Sequence, residues 1–232
     1  MKQQNKFRVR SLLCVLFAGL LCGYCFCIDG SAAQVYHSHP NGTKQIALTF
    51  DDGPHPSQTQ RILDILDRYG VKATFFMIGV NVENYPEVAK DVVARGHEIG
   101  NHTYSHLHLK QLGAGGLTAE VEKCEDVLED LCEYRPHLFR PPEGYLSDGV
   151  FECAEQGDYS LILWSVDTRD WEIKNASQIA EKVLTNVKTG DIILMHDYVY
   201  HSKTPEALEI LLPKLLALGY EPVTVGKLLG IK

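Results

Sequence analysis

From residue 44 onward, short apolar runs alternate with amphipathic stretches of helical period, and that alternation leaves few folds open. The runs Ile46–Phe50, Ala73–Ile78, His97–Gly100, His137–Arg140, Ser160–Trp164, Asp191–Met195 and Glu221–Val225 read as strands. Ser57–Tyr69, Pro86–Arg95, Thr118–Cys132, Ser147–Gln156, Ser177–Thr185 and Pro205–Leu218 read as helices. Strands separated by helices pair in parallel, because only a long crossover returns the chain to the same end of a sheet. The fold class is therefore α/β, with a mostly parallel sheet that is either open or closed into a barrel. Both forms place their chemistry beyond the carboxyl ends of the strands.

Several boundaries carry their own signals. Ile62, Leu63, Ile65, Leu66 and Tyr69 lay an apolar stripe along the first helix, and Gly70 follows as its stop. Gly96 and Gly219 stand in the same relation to their helices, and Thr118 is expected to cap Thr118–Cys132. A hydrophobic share of 45% with 22% charged residues suits a globular core and argues against disorder.

The first 33 residues are of a different kind. Lys2, Lys6, Arg8 and Arg10 form a basic flank, the 18 residues Ser11–Ile28 are uncharged and apolar, and Ser31 and Ala33 supply small residues for cleavage. Residues 1–33 read as a signal peptide or an N-terminal membrane anchor, 34–43 as a polar linker, and 44–232 as one domain. The protein is expected to be secreted, or extracytoplasmic and held at the membrane only through that first segment. Without Lys2, Lys6, Arg8, Arg10 and Asp29, 18 basic residues face 29 acidic ones, a formal charge of −11. So acidic a domain repels nucleic acid.

Four of the seven cysteines, Cys14, Cys22, Cys25 and Cys27, lie in the export segment. Cys124 and Cys132 are eight apart on one helix, roughly 12 Å along its axis, too far to bridge. A Cys132–Cys153 bond is open, but buried thiols are the expectation.

Five segments that follow strands carry polar chemistry. Asp51 and Asp52 precede a Gly-Pro turn in Thr49–Pro54. His102 and His106 are four apart in Asn101–His106, on one face if that segment makes a helical turn, with His108 facing away. With Asp52 they make a two-histidine, one-carboxylate set with an open position, the donor set of catalytic zinc sites. Arg140 opens Arg140–Tyr145, Asp167–Trp171 forms an acidic turn, and His196 stands at the mouth of an apolar strand. Each alone suits a solvated turn or a satisfied core residue; all five at strand ends point to one cleft.

In order and spacing, TFDDGP, NHTYSH, RPPEGY, DTRDW and LMHD resemble the five motifs of the NodB-homology polysaccharide deacetylases (carbohydrate esterase family 4), over roughly Gln45 to Leu229. The resemblance implies a distorted (β/α) barrel of about seven parallel strands and a polysaccharide deacetylase domain over 44–232. It implies Asp51 as general base, Asp52, His102 and His106 as metal ligands, Arg140 orienting Asp51, and His196 as general acid tuned by Asp170. Leu194 and Trp171 would line the acetyl pocket, and the Glu143 backbone N–H would meet the oxyanion. Relatives often carry an aromatic or small residue where this chain has Glu143. The RPPEG form resembles members acting on peptidoglycan muramic acid, although those often lack the second Asp of the first motif, present here as Asp52.

The expected reaction is removal of N-acetyl groups from cell-wall or chitin-type polysaccharide, with a divalent metal, zinc first and cobalt, nickel or manganese as alternatives. A monomer is expected. Rival readings are an O-acetyl esterase acting on acetylxylan-type glycan, a muramic-acid deacetylase, a silent glycan-binding surface module and a structural zinc protein. A silent module would be expected to lose a ligand or the acid, and none of Asp51, Asp52, His102, His106 or His196 is missing; a structural zinc protein has no use for Arg140 and His196 at the same strand ends.

Overall fold

The computed structural model describes residues 33–198 and 202–231. Nearly all of the export segment therefore lies outside the described residues. Among the described residues, no helix is long and apolar enough to cross a membrane.

Among the described residues nine strands occur in chain order: β1 (Val35–Tyr36), β2 (Gln45–Asp51), β3 (Thr74–Met77), β4 (Glu98–Asn101), β5 (Leu138–Phe139), β6 (Ser160–Ile162), β7 (Val166–Asp167), β8 (Ile192–His196) and β9 (Glu221–Val223). The spatial order is β1-β6-β5-β4-β3-β2-β8-β7, and β9 pairs with the first half of β2. Every strand pair is parallel. Residues 160–167 bend so that β6 lies against β5 while β7 lies against β8, which carries the sheet round into a distorted (β/α) barrel. All seven expected strands are present.

Eight α-helices among the described residues accompany them: α1 (Gln58–Tyr69), α2 (Gly79–Asn84), α3 (Pro86–Ala94), α4 (Ala114–Cys132), α5 (Asp148–Gln156), α6 (Ala176–Asn186), α7 (Thr204–Ala217) and α8 (Val225–Leu229). Gly70 ends α1 at φ 65°, where a residue without Cβ is unstrained.

Alternation along the strands decides which side chains enter the barrel. Ile46, Leu48 and Phe50 of β2 pack outward with Ile62, Leu63 and Leu66 of α1, whereas Ala47 joins Phe76, Leu138, Ile162 and Ile192 inside. Phe50 stacks on Phe75 with ring centroids 5.0 Å apart, worth about 0.5–1.5 kcal/mol beyond area burial. The inward phase of β2 is thus Ala47, Thr49, Asp51, and that of β8 is Ile192, Leu194, His196. One step past β5, Arg140 shares the inward phase of Leu138.

Some expectations need correction. Residues 34–43 are not a free linker: Val35 and Tyr36 pair with Leu161 and Ile162, and Ser38 bridges Asp191, so backbone pairing holds this polar stretch where its side chains give no sign of it. Nor does Thr118 cap its helix. The helix begins at Ala114, after Gly113, because buried Leu117 packs with Leu109 and Val121 and draws an extra turn onto the core. The short elements α2, α8 and β7 lacked enough residues to show a period. Cys124, Cys132 and Cys153 are free buried thiols, and burial pushes Cys124 up to about 12 and Cys132 up to about 11.

Candidate active site

At the carboxyl end of the barrel lies a cavity of about 380 Å³. Eight of the ten expected site residues line it: Asp51, Asp52, His102, His106, Glu143, Trp171, Leu194 and His196. Arg140 and Asp170, both fully buried, stand behind them.

Asp51 and His196 are register partners on adjacent strands β2 and β8, and both face inward. Arg140 donates to Asp51 Oδ1 (2.6 Å) and Thr49 Oγ1 (2.9 Å) from one nitrogen, and to the carbonyls of Ile162 and Leu163 (3.1 Å each) from the other two. Its plane lies 4.0 Å from the Phe76 ring. A guanidinium so bonded fixes the carboxylate it touches, whereas an unpartnered one would be costly to bury.

Asp52 leaves the strand at φ 76°, a left-handed conformation, and Asn81 Nδ2 donates to its carbonyl (2.8 Å). Gly53 follows because a Cβ there would collide with the Asp197 carboxylate.

The Asn101–His106 segment makes no helical turn. Thr103 and His106 take left-handed φ of 67° and 53°, and the loop is pinned at its start, where Asn101 Oδ1 accepts Thr103 N–H, and from outside, where Glu120 accepts Ser105 N–H and Oγ–H. Even so, the two imidazole centroids lie 5.0 Å apart. His108 instead pairs with Glu143 on the rim, Nδ1 to Oε1 2.8 Å.

The three candidate ligands fit a metal. Asp52 Oδ1 lies 3.5 Å from His102 Nε2 and 3.4 Å from His106 Nε2, and ligand atoms about 2.0–2.1 Å from a tetrahedral zinc stand about 3.4 Å apart. His102 Nδ1 lies 2.6 Å from the Arg140 carbonyl, which makes Nδ1 the donor and leaves Nε2 facing the other two ligands. Electrostatics agree. Burial works to raise the Asp52 pKa, but the hydrogen bond and charge of His102, with His196 and His106, hold it down at about 2. Burial opposes charge on His102 as well, yet Asp51 and Asp52 raise its pKa, so the pair of carboxylates calls for a cation at that place.

Behind His196, Asp170 Oδ1 meets Nδ1 at 2.8 Å, while Asp170 Oδ2 accepts His196 N–H (2.8 Å) and Thr204 Oγ1–H (2.5 Å). Burial lowers the imidazole's pKa, but Asp170 and then Asp51 and Asp52 outweigh it and raise the group to about 9. His196 is therefore charged at neutral pH.

The polysaccharide deacetylase family model matches residues 38–162. A peptidoglycan-N-acetylglucosamine deacetylase of Bacillus cereus is 43% identical, over 83% of this chain and 92% of its own. The chain belongs to the polysaccharide deacetylase family. It is accordingly a hydrolase of a metal-dependent family, and its Asp52, His102 and His106 form a site able to hold the metal. The peptidoglycan-N-acetylmuramic acid deacetylase PdaC of Bacillus subtilis is 40% identical over 82% of this chain, which spans only 39% of PdaC. A crystal structure of a peptidoglycan N-acetylglucosamine deacetylase with a naphthyl-N-oxidanyl-benzamide superposes at TM-score 0.83. It is 36% identical, covering 87% of this chain and 94% of the other.

Four residues of this deacetylase escaped the sequence reading. Trp164 shares the inward phase of Ile162 and lines the cavity, so alternation alone would have found it. Asp167 also lines the cavity and was visible only as part of its motif. Thr204, 34 residues from the Asp170 that it contacts, gives no local signal. Asp197 is buried beneath the Gly53 turn, where burial pushes it up to about 7 although Thr59 donates to it.

Proposed function

We propose that this deacetylase hydrolyses the N-acetyl group of N-acetylglucosamine units in peptidoglycan or a chitin-type polysaccharide, outside the cytoplasm. The observation that carries the reading is the placement of Asp51 beside His196, each held by its own buried partner, next to the Asp52–His102–His106 trio. Asp52, His102 and His106 hold a divalent metal, zinc first, with cobalt, nickel or manganese as alternatives. When bound, the metal supplies Lewis-acid chemistry, polarising the acetyl carbonyl and making water more acidic.

The remaining steps belong to the chain. Asp51, oriented by Arg140, takes the proton of the attacking water. The Glu143 backbone N–H donates to the developing oxyanion; losing one such donor typically costs about 10²–10³ in rate. His196 Nε2 then gives its proton to the departing amine, while Asp170 and Thr204 hold the ring from behind. Leu194 and Trp171 enclose the acetyl methyl. Base and acid stand side by side, each held from behind by an oppositely charged buried neighbour, Arg140 for Asp51 and Asp170 for His196.

The basic flank and apolar run of residues 1–33 support export, as a signal peptide or an anchor. Similarity to PdaC favours a second substrate, the N-acetyl group of muramic acid. Acetate release from N-acetylglucosamine oligomers, peptidoglycan and acetylxylan tests the assignment. Release from the oligomers or from peptidoglycan is expected, whereas release from acetylxylan alone would replace the reading with an O-acetyl esterase.

A further inference from the structure

Not every charge at the cavity has a buried partner. Asp51 has Arg140, Asp52 has the two ligand histidines, and His196 has Asp170. Glu143 and Asp167, which line the mouth, are different. Glu143 is half-exposed and meets His108, itself 68% exposed, and the Asp167 carboxylate accepts one backbone N–H, that of Arg169, while Lys182 Nζ reaches only the Asp167 carbonyl, at 3.5 Å. No lysine or arginine lines the cavity among the described residues. Arg140 lies wholly beneath it, and Arg169, 5.8 Å from the Trp171 ring centroid, is paired with Glu172.

A linear glycan with one acetyl group in the cavity must carry its neighbouring units across this rim. The geometry points to Glu143, supported by Asp167, as the residue that selects those neighbours by charge. A unit bearing a free ammonium is drawn to the rim, a neutral N-acetylated unit is accepted, and a unit bearing a free carboxylate is repelled. The substrate class is thus an N-acetylglucosamine polymer with neutral or already deacetylated neighbours, in preference to one whose neighbour carries an unblocked lactyl carboxylate. This inference rests on the deacetylase reading above. The backbone of Glu143 serves the oxyanion whatever its side chain, so the two roles of this residue separate by substitution.

The charges are solvent-screened, so the expected discrimination is about three- to tenfold and shrinks with salt. Three metal-loaded variants, Glu143→Gln, Glu143→Lys and Asp167→Asn, are compared with the native enzyme at mildly acidic pH. The substrates are a neutral N-acetylglucosamine oligomer, the same oligomer with one free amine beside the acetylated unit, and an N-acetylglucosamine–muramic acid fragment with a free lactyl carboxylate. The readout is each charged substrate's kcat/KM divided by that of the neutral one. Native ratios above one for the amine and below one for the carboxylate are expected. They should converge on one in Glu143→Gln, converge in part in Asp167→Asn, and reverse in Glu143→Lys. Native ratios of one, or ratios that none of the variants moves, overturn the inference while leaving the deacetylase intact. Absence of acetate release from all three by the native enzyme instead sinks the deacetylase reading, and the rim inference with it.

Discussion

Replacing Asp170 by Asn tests the proposed role of His196 as the acid and of Asp170 as its holder. In the native protein Asp170 Oδ1 faces His196 Nδ1 while Oδ2 takes two donors, His196 N–H and Thr204 Oγ1–H. An asparagine has one oxygen for these three donors. If it serves the two that share Oδ2, its NH₂ faces Nδ1, which must then accept, and the ring is left neutral with its proton on Nε2. The native pKa of about 9 lies above an ordinary 6.5, and at about 1.4 kcal/mol per unit the charged form is favoured by about 3 kcal/mol. Without Asp170 the burial of His196 is poorly opposed, so its pKa falls to or below the ordinary histidine range. The cation opposes the pull of Asp51 and Asp52, which makes about 9 an upper bound in the loaded enzyme.

The assay is the pH dependence of kcat with metal saturating. The native alkaline limb reports loss of the His196 proton. In Asp170→Asn that limb should move acidward by two units or more, with at least a tenfold loss of kcat at pH 8 and an unchanged metal affinity. An alkaline limb that stays in place would refute the assignment of His196 as the acid held by Asp170. Stability follows with a definite sign: a raised histidine pKa adds stability that is complete below pH 6.5 and lost as pH rises through about 9. The metal-free native protein should therefore lose about 3 kcal/mol over that window by denaturant titration, and Asp170→Asn should lose much less.

Other substitutions act on separate parts of the site. Asp51→Asn should abolish turnover while zinc titration still shows binding; near-normal turnover would show that Asp51 is not the base. Chelation should remove activity and a divalent metal restore it, and full activity in excess chelator would sink the metal assignment. Arg140→Met strands Asp51 in an apolar wall, so denaturant unfolding should show about 3–5 kcal/mol of lost stability; a loss below 1 kcal/mol would mean that the pair is not the support described. Glu120→Gln weakens the anchor of Ser105 between the two histidines and should raise the zinc Kd about 10–100-fold; an unchanged Kd would show that the loop holds itself.

Much of this arrangement was legible because it follows from the period of a strand. Asp51, Arg140 and His196 each extend an inward-facing series of small or apolar residues, so once the strands are placed their direction follows. The two histidines were legible as a pair but not in their conformation. Four-residue spacing suggests a helical turn, whereas left-handed Thr103 and His106 bring the rings together by another route, held by Asn101 at the start of the segment and by Glu120 from outside. Thr204 was illegible for a different reason. Its contact with Asp170 depends on where α7 begins after a long connection, and no local pattern encodes that meeting.

Arg140 shows why fold and site do not separate in this chain. A barrel interior is ordinarily filled by branched apolar side chains. Here one of the largest fully buried side chains is an arginine lying among Phe76, Thr49 and the carbonyls of the β6–β7 bend. That bend is where Ser160–Asp167 passes from β5 to β8, and a regular strand would spend the Ile162 and Leu163 carbonyls on sheet pairing instead. The distortion of the barrel thus supplies acceptors for the cation that aligns Asp51. The same turn of chain brings Trp164 and Asp167 to the cavity, beside β8 and its His196. Straightening 163–165 would at once strand Arg140, release Asp51 and move the cavity wall. The irregularity in the sheet is therefore the structural condition for having a fixed carboxylate, the proposed base, at the end of β2.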